Sequence, residues 1–216
     1  MSAADHYPAG RASRHAWCGY ESTVETTRNF RDEAVERIES STAVDKLARV
    51  VDEASERVVT PALRGPLRGD WMGHALHPSL TDIPLGCWIG STVLDLTGDR
   101  RGARRLILAG VVAAVPTIAS GLAEWRRIVD TKTRRLASVH ATGASLTTAM
   151  YAMSWWKRGR HPLKATGWSL AAGATAIVTG WVGGHLALVD GVGGGRREPR
   201  SAAPADPLVD AIAAAV

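Results

Sequence analysis

The run Leu106-Ile107-Leu108-Ala109-Gly110-Val111-Val112-Ala113-Ala114-Val115-Pro116-Thr117-Ile118-Ala119-Ser120-Gly121-Leu122-Ala123 contains no charged side chain. As a helix, about 18 residues at about 1.5 Å each come close to the roughly 30 Å of hydrocarbon in a bilayer. A helix on the surface of a soluble bundle would turn a polar face outward every turn, and this stretch has none. It reads as a membrane span, with Pro116 inside it expected to bend it.

Apolar segments also run from Ile83 to Leu96, from Leu136 to Trp156 and from Ala165 to Val189. His140 is the one ionisable side chain of the third segment and His185 that of the fourth. The first segment is short, reaching only roughly 21–25 Å. The connections carry Arg100, Arg101, Arg104 and Arg105, then Arg126, Arg127, Lys132, Arg134 and Arg135, then Lys157, Arg158, Arg160 and Lys164. Basic clusters between apolar runs are a membrane pattern. A nucleic-acid surface would instead need a continuous basic face among polar neighbours, so no nucleic-acid partner is expected. The predicted fold is all-α: an integral membrane four-helix bundle over 71–190, with helices at about 83–97, 106–125, 136–156 and 165–189. Trp125, Trp155, Trp156 and Trp168 fall near segment ends, as an interfacial belt would, whereas Trp88 and Trp181 read as packing residues. Gly143, Gly180 and Gly184 are the small residues expected to let helices approach closely.

Outside the bundle the chain of 216 residues is polar. Residues 1–31 read as a disordered tail, and residues 32–70 as an amphipathic helix and linker. Val44, Leu47, Ala48, Val51, Ala54 and Val58 recur at helical steps, with Ser41 or Thr42 as the cap and Pro61 as the stop. Arg64 to Trp71 reads as a turn-rich linker, and residues 191–216 as a flexible tail. Cys18 and Cys87 form no disulfide framework. The first twenty or so residues lack the apolar core of a secretory signal.

Short connections make consecutive helices antiparallel, and that turns the sequence into geometry. His74, His77 and Asp82 stand at the start of the first helix and Glu124 at the end of the second. His140 lies about one turn into the third helix, and His185 about one turn before the end of the fourth. All fall at one end of the bundle, with His140 and His185 roughly 6 Å below the helix ends. Ionisable groups at membrane depth face a partner or a cavity, so this end is the candidate site. Asp82 can cap the first helix, with Pro84 in its first turn. His77, before Pro78, reads as extended backbone, which puts His74 and His77 on a loop. Glu124 can pair with Arg126 or Arg127. Asp95 and Asp99, at the far end, read as loop charge.

The run G-H-x-x-H-P-x-L-x-D-x-P-x-G at Gly73 to Gly86, the Gly121-Leu122-Ala123-Glu124-Trp125 helix end, His140 and Gly183-Gly184-His185-Leu186 together resemble a bacterial membrane-protein family of unknown function, number 2231 of that kind. The resemblance covers roughly residues 40–195 and implies a four-helix membrane domain without an established activity. Some relatives continue into a Rieske-type iron–sulfur domain, and the C-x-H…C-x-x-H ligand pairs of that domain are absent here. This similarity suggests redox traffic by association alone.

Three readings of function stay open, and a transporter is disfavoured for want of broken-helix repeats. The first is a non-catalytic membrane anchor or subunit whose polar cluster locks the helix ends and docks a partner. The second is an electron-transfer module with a b-type haem on His140 and His185, the His74/His77 loop closing over it, Gly143 and Gly184 making room, and a redox partner protein. The third is a transition-metal site on His74, His77, His140 and His185 with Asp82 or Glu124 in support. An enzyme is not expected. The expected location is the cell membrane, multi-pass, with the termini cytoplasmic by a small excess of basic residues on their side.

Overall fold

The computed structural model describes residues 30–193, which are all helical with no strand among them. Helix α1 covers 30–40, and a 3₁₀ turn, Thr42–Val44, leads into α2, Asp45–Val58. Then follow α3 (Pro61–Arg68), α4 (Leu76–Leu96), α5 (Arg100–Trp125), α6 (Thr131–Lys157) and α7 (Pro162–Leu188). The long helices form two hairpins, α4 with α5 and α6 with α7, joined by packing of α5 on α6. Helices α2 and α3 lie over the histidine end, α2 against α5 and α6, and α3 against α5 and α4. The expected tails fall almost wholly in 1–29 and 194–216, outside the described residues.

Every long helix is longer at its N-terminal end than its apolar run, and in α5 and α6 a side-chain cap rather than hydropathy sets the start. Asp99 accepts from the Gly102 amide at 2.9 Å and starts α5, so Arg100 to Arg105 are helical rather than loop. Asp130 does the same for α6 through the Thr133 amide at 2.8 Å. Pro162 opens α7 at a first-turn position where its missing N–H costs nothing.

The correction is largest at α4. It starts at Leu76, so His77 and Pro78 are in its first turn rather than on a loop, and Ala75 occupies the cap position. Asp82 therefore caps nothing; it is exposed in the second turn. Pro84 lies inside the helix, and its missing N–H leaves the Leu80 carbonyl without its helical donor. The Thr117 hydroxyl of α5 shares its proton between that carbonyl, at 3.2 Å, and the Ala113 carbonyl of its own helix, at 2.8 Å, which partly repairs the break from the neighbouring helix.

The N-terminal region also departs from expectation. Ser41 makes no side-chain cap. Pro61 starts α3 as much as it ends α2, and the supposed linker is helical to Arg68. Gly69 ends α3 with φ +80°, and a Cβ there would lie 2.4 Å from the His74 carbonyl oxygen, so this turn requires glycine. Three arginines of the α5–α6 end hold α2 in place. Arg135 donates to Asp45 at 2.7 Å and to the Glu39 carbonyl at 2.8 Å, Arg134 to Asp52 at 3.2 Å, and Arg126 to the Ser55 hydroxyl at 3.2 Å.

The long helices bury Ser and Thr beside an apolar core that includes Trp88, Ile107, Trp125, Leu136 and Tyr151, and they expose aliphatic side chains. Ser91, Thr117, Ser120, Ser138, Thr147, Ser154, Ser169 and Thr179 are buried, while Ile83, Ile89, Leu108, Val112, Val115, Leu146, Ile177 and Val178 are exposed. So many exposed aliphatic side chains are unusual against water; against lipid they are expected, since close approach and hydrogen bonds hold membrane helices together. Helices α5 and α7 are long and apolar enough to cross a membrane, with mean hydropathies of 2.1 and 1.2 over their best windows. Helices α4 and α6 do not reach that level, α6 because of its many Ser and Thr and its basic first turns.

The two hairpins repeat each other. A shift of 63 residues, the separation of Asp95 from Arg158, carries the buried residues of α4, Pro84, Trp88 and Ser91, onto Thr147, Tyr151 and Ser154 of α6, all buried. One residue less carries Ala103, Ile107, Gly110, Thr117, Ser120 and Glu124 of α5 onto all the buried residues of α7: Ala165, Ser169, Ala172, Thr179, Val182 and Leu186. Equivalent residues meet at the centre. The Trp88 and Tyr151 rings stack 4.4 Å apart and 10° from parallel. Asp95, read above as loop charge, is a partly buried partner of Arg158, which grips both its oxygens at 2.6 and 2.5 Å. The bundle thus has a pseudo-twofold relation between its halves.

Candidate functional site

The same relation builds the histidine end. His77 of α4 and His140 of α6 are equivalent, and their rings face each other edge to face, 6.2 Å between centroids and 87° between planes. His77 Nδ1 donates to the Thr117 carbonyl of α5 at 2.9 Å, and His140 Nδ1 donates to the Thr179 carbonyl of α7 at 2.9 Å. A carbonyl can only accept, so both neutral rings carry the proton on Nδ1 and keep a lone pair on Nε2. Each ring lies against the glycine one turn beyond its carbonyl. A Cβ on Gly121 would come within 2.9 Å of His77 Cε1, and one on Gly183 within 2.6 Å of His140 Cε1. The repeating unit is a histidine on one helix facing T-x-x-x-G on the next.

His140 is thus paired with His77 rather than with His185. His185 stands apart, with Nε2 3.9 Å from an Asp190 carboxylate oxygen and its ring 6.4 Å from that of Trp181. His74 is exposed, its Nδ1 3.1 Å from the Ala75 carbonyl. Glu124 is buried with Arg127 at 3.7 Å, and its Oε1 has no hydrogen-bond partner among the described residues. Asp82 is exposed and turned away from this cluster. Of the expected packing glycines, Gly143 lies under the Thr179 hydroxyl, at 2.5 Å from a built Cβ, while Gly180 and Gly184 face open space. The close approaches fall on Gly121 and Gly183 instead. Trp125, expected in an interfacial belt, is buried, donates to the Ser138 hydroxyl at 3.1 Å and carries Arg134 over its ring at 4.0 Å.

Sequence reasoning placed His77 and His140 at one end but missed Thr117, Thr179, Gly121 and Gly183. The signal was present as T-x-x-x-G at the same place in the second and fourth segments. Chemically, the pair offers two imidazole nitrogens with fixed tautomers. A protein-bound metal centre wants three or more ligands, and no group of three His, Cys, Asp or Glu able to hold an ion occurs among the described residues.

No curated protein and no solved structure matches the chain. Its sequence over residues 73–196, which takes in all of α4 to α7, matches a family model described as "Predicted membrane protein (DUF2231)". A match over more than half the chain, on the segment that carries the His77/His140 pair and the exposed aliphatic side chains of the long helices, places this protein in that predicted membrane-protein family.

Proposed function

We propose that this protein is a multi-pass membrane anchor or subunit, a helical module in which all four long helices cross the cell membrane and whose polar groups hold helices together. The observation that carries this reading is where the half-buried His77 and His140 donate their ring protons. Each donates to a backbone carbonyl of the partner helix across a glycine contact, at equivalent places in both hairpins. Such a bond is an interhelical tie, worth about 0.6 kcal/mol on average in a membrane protein and up to about 1.7. A few buried hydroxyls act alike, as Ser154 of α6 does with Ser169 of α7 at 2.7 Å, whereas Ser91 and Ser120 bond carbonyls of their own helices. Helix α2, docked by arginines with Glu53, Glu56 and Arg57 still exposed, is the face offered to a partner protein. Alkaline carbonate washing of membranes from expressing cells tests the first half of the proposal. Retention in the pellet is expected, and release into the supernatant would remove the membrane anchor. Pull-down with and without Asp45→Arg, which undocks α2, tests the second.

One observation favours a second reading. Two nitrogens on opposite sides of one ion, each about 2.0–2.1 Å from it, with an imidazole radius of about 1.1 Å, put ring centroids about 6 Å apart. His77 and His140 are at that separation, 6.2 Å, and ligation would require one ring to rotate out of the edge-to-face contact so that both Nε2 atoms meet the ion. A histidine that ligates a metal also donates its other N–H, commonly to a backbone carbonyl. In this reading His77 and His140, rather than His140 and His185, hold a transition metal or the iron of a b-type haem, with a redox partner following from it. A visible spectrum of protein supplied with haem, and metal analysis of wild type against His77→Ala, decide it. A folded protein with no Soret band and no bound metal ends this reading.

A further inference from the structure

The end of the bundle opposite the histidines has a basic pocket that the anchor reading leaves unused. We propose that it binds a phosphate group, and that the group is the headgroup phosphate of an anionic phospholipid. The inference rests on the membrane reading above.

The pocket, about 210 Å³, lies between the α4–α5 and α6–α7 turns and is lined by Arg100, Arg101, Arg104 and Arg158 together with Leu163 and Thr166. Arg158 is set in place by its two-point grip on Asp95. Its side chain is 6% exposed, and its Nε has no acceptor among the described residues. Arg104 is steadied by its guanidinium over the Trp155 ring at 5.1 Å. Among the described residues no carboxylate pairs with Arg100, Arg101 or Arg104. The contrast with the histidine end is plain, since Arg127, Arg134 and Arg135 there are taken by Glu124, Asp52 and Asp45. The first turn of α7, with no side-chain cap and Pro162 leading, adds unpaired amides and the positive end of a helix dipole.

Three arginines without carboxylate partners beside unpaired amides suit a group with several anionic oxygens, and phosphate offers them to more than one guanidinium at once. Two features point to a lipid source. Leu163 on the pocket rim is 83% exposed. An open groove of about 710 Å³, which shares no lining residue with the pocket, starts at Arg105, next in sequence to Arg104, and runs between α4 and α5 along Leu80, Ile83, Leu108, Val112 and Pro116. It suits an acyl chain lying below a headgroup at the arginines. Basic pockets between membrane helices recognise anionic headgroups in this way.

The test uses the full chain reconstituted in phosphatidylcholine nanodiscs with or without phosphatidylglycerol, reading the thermal midpoint and the lipid retained by native mass spectrometry. The variant is R100Q/R101Q/R104Q, and K46Q/R49Q/K132Q removes the same charge from exposed positions at the other end. Wild type and control should gain stability from phosphatidylglycerol and retain it. The pocket variant should lose on the order of a hundredfold in retention, about fivefold per arginine. Equal retention by the pocket variant would overturn the proposal. If that variant proves unfolded by circular dichroism, R101Q alone decides, with about fivefold as the expected loss and none as the refutation. Inorganic phosphate added to protein in phosphatidylcholine alone is the second arm. A midpoint rise matching that from phosphatidylglycerol would sink the lipid source. Failure to insert in nanodiscs, with release by carbonate, would instead overturn the membrane reading.

Discussion

Two adjacent glycines of α7 should respond to the same substitution with opposite signs. At Gly183 an added Cβ meets His140 Cε1 at 2.6 Å and Nδ1 at 3.0 Å, whereas at Gly184 it meets nothing within 4 Å. Both substitutions gain helix propensity, roughly 0.8–1.0 kcal/mol from Gly to Ala. Gly184→Ala should keep that gain and stabilise the protein by about 0.5–1 kcal/mol. Gly183→Ala has to push the ring off Thr179, adding an overpacking cost of about 1–3 kcal/mol and the loss of a tie worth about 0.6 kcal/mol. Its net effect is about 1–2 kcal/mol of destabilisation. The two variants should therefore differ by about 2–3 kcal/mol. Unfolding in a detergent–denaturant series, followed by far-ultraviolet circular dichroism, measures the difference. Gly121→Ala, at 2.9 Å from His77 Cε1, should behave like Gly183→Ala if the hairpins are equivalent. Should Gly183→Ala prove as stable as Gly184→Ala, the imidazole does not lie on that glycine and the proposed tie is wrong.

Breaking the buried Asp95–Arg158 pair by Arg158→Met should cost about 3–5 kcal/mol, and the exchange D95R/R158D should recover part of it because the positions are equivalent; chemical unfolding of both variants checks this. Thr117→Val should cost about 1 kcal/mol by orphaning the Leu80 carbonyl. The cost should shrink in a Pro84→Ala background, where the helical donor returns, and a double-mutant cycle reads the difference. Docking of α2 should weaken in acid. The hydrogen bond from Arg135 holds the Asp45 carboxyl below its usual range. A folded value lower than the unfolded one makes the contribution complete above about pH 4 and lost as pH falls through the folded value. Limited proteolysis between α2 and α3 should therefore accelerate only on strong acidification, and Arg135→Gln should abolish that dependence.

Much of the bundle was legible in the sequence for a simple reason. Uncharged runs such as Leu106 to Ala123 have few other places to go, and short basic turns between them force antiparallel neighbours. Helix starts were less legible, because one hydrogen bond from Asp99 or Asp130 outweighs the charge of the arginines that follow. Pro78 and Pro84 misled for a related reason. A proline reads as a break, yet Pro78 sits where no amide bond is needed, and Thr117 partly mends the gap left by Pro84 from a neighbouring helix. Only tertiary contact can make that repair.

The candidate site divides the same way. From residue spacing alone, His77 and His140 belong at one end of the bundle, since each is near the end of its apolar segment that antiparallel threading puts on that side. Their pairing is another matter. Spacing puts His140 and His185 at one depth, but α6 begins at Thr131, so His140 lies nine residues in, against Thr179 and His77, while His185 lies three residues from the end of α7 beside Asp190. The repeat of the two hairpins was carried by the letters throughout, from His77 and His140 to Trp88 and Tyr151. Some of its members are identical, as with Ser91 and Ser154 or Thr117 and Thr179, but others are as unlike as Pro84 and Thr147, and burial shows that those positions correspond too. Hydropathy, set residue by residue, determined by itself that this chain has long apolar helices and where its polar groups fall along them. Which of those groups meet was decided by where each helix begins and how it packs on its neighbours, and the packing depends on how glycine, serine and threonine let neighbouring backbones approach.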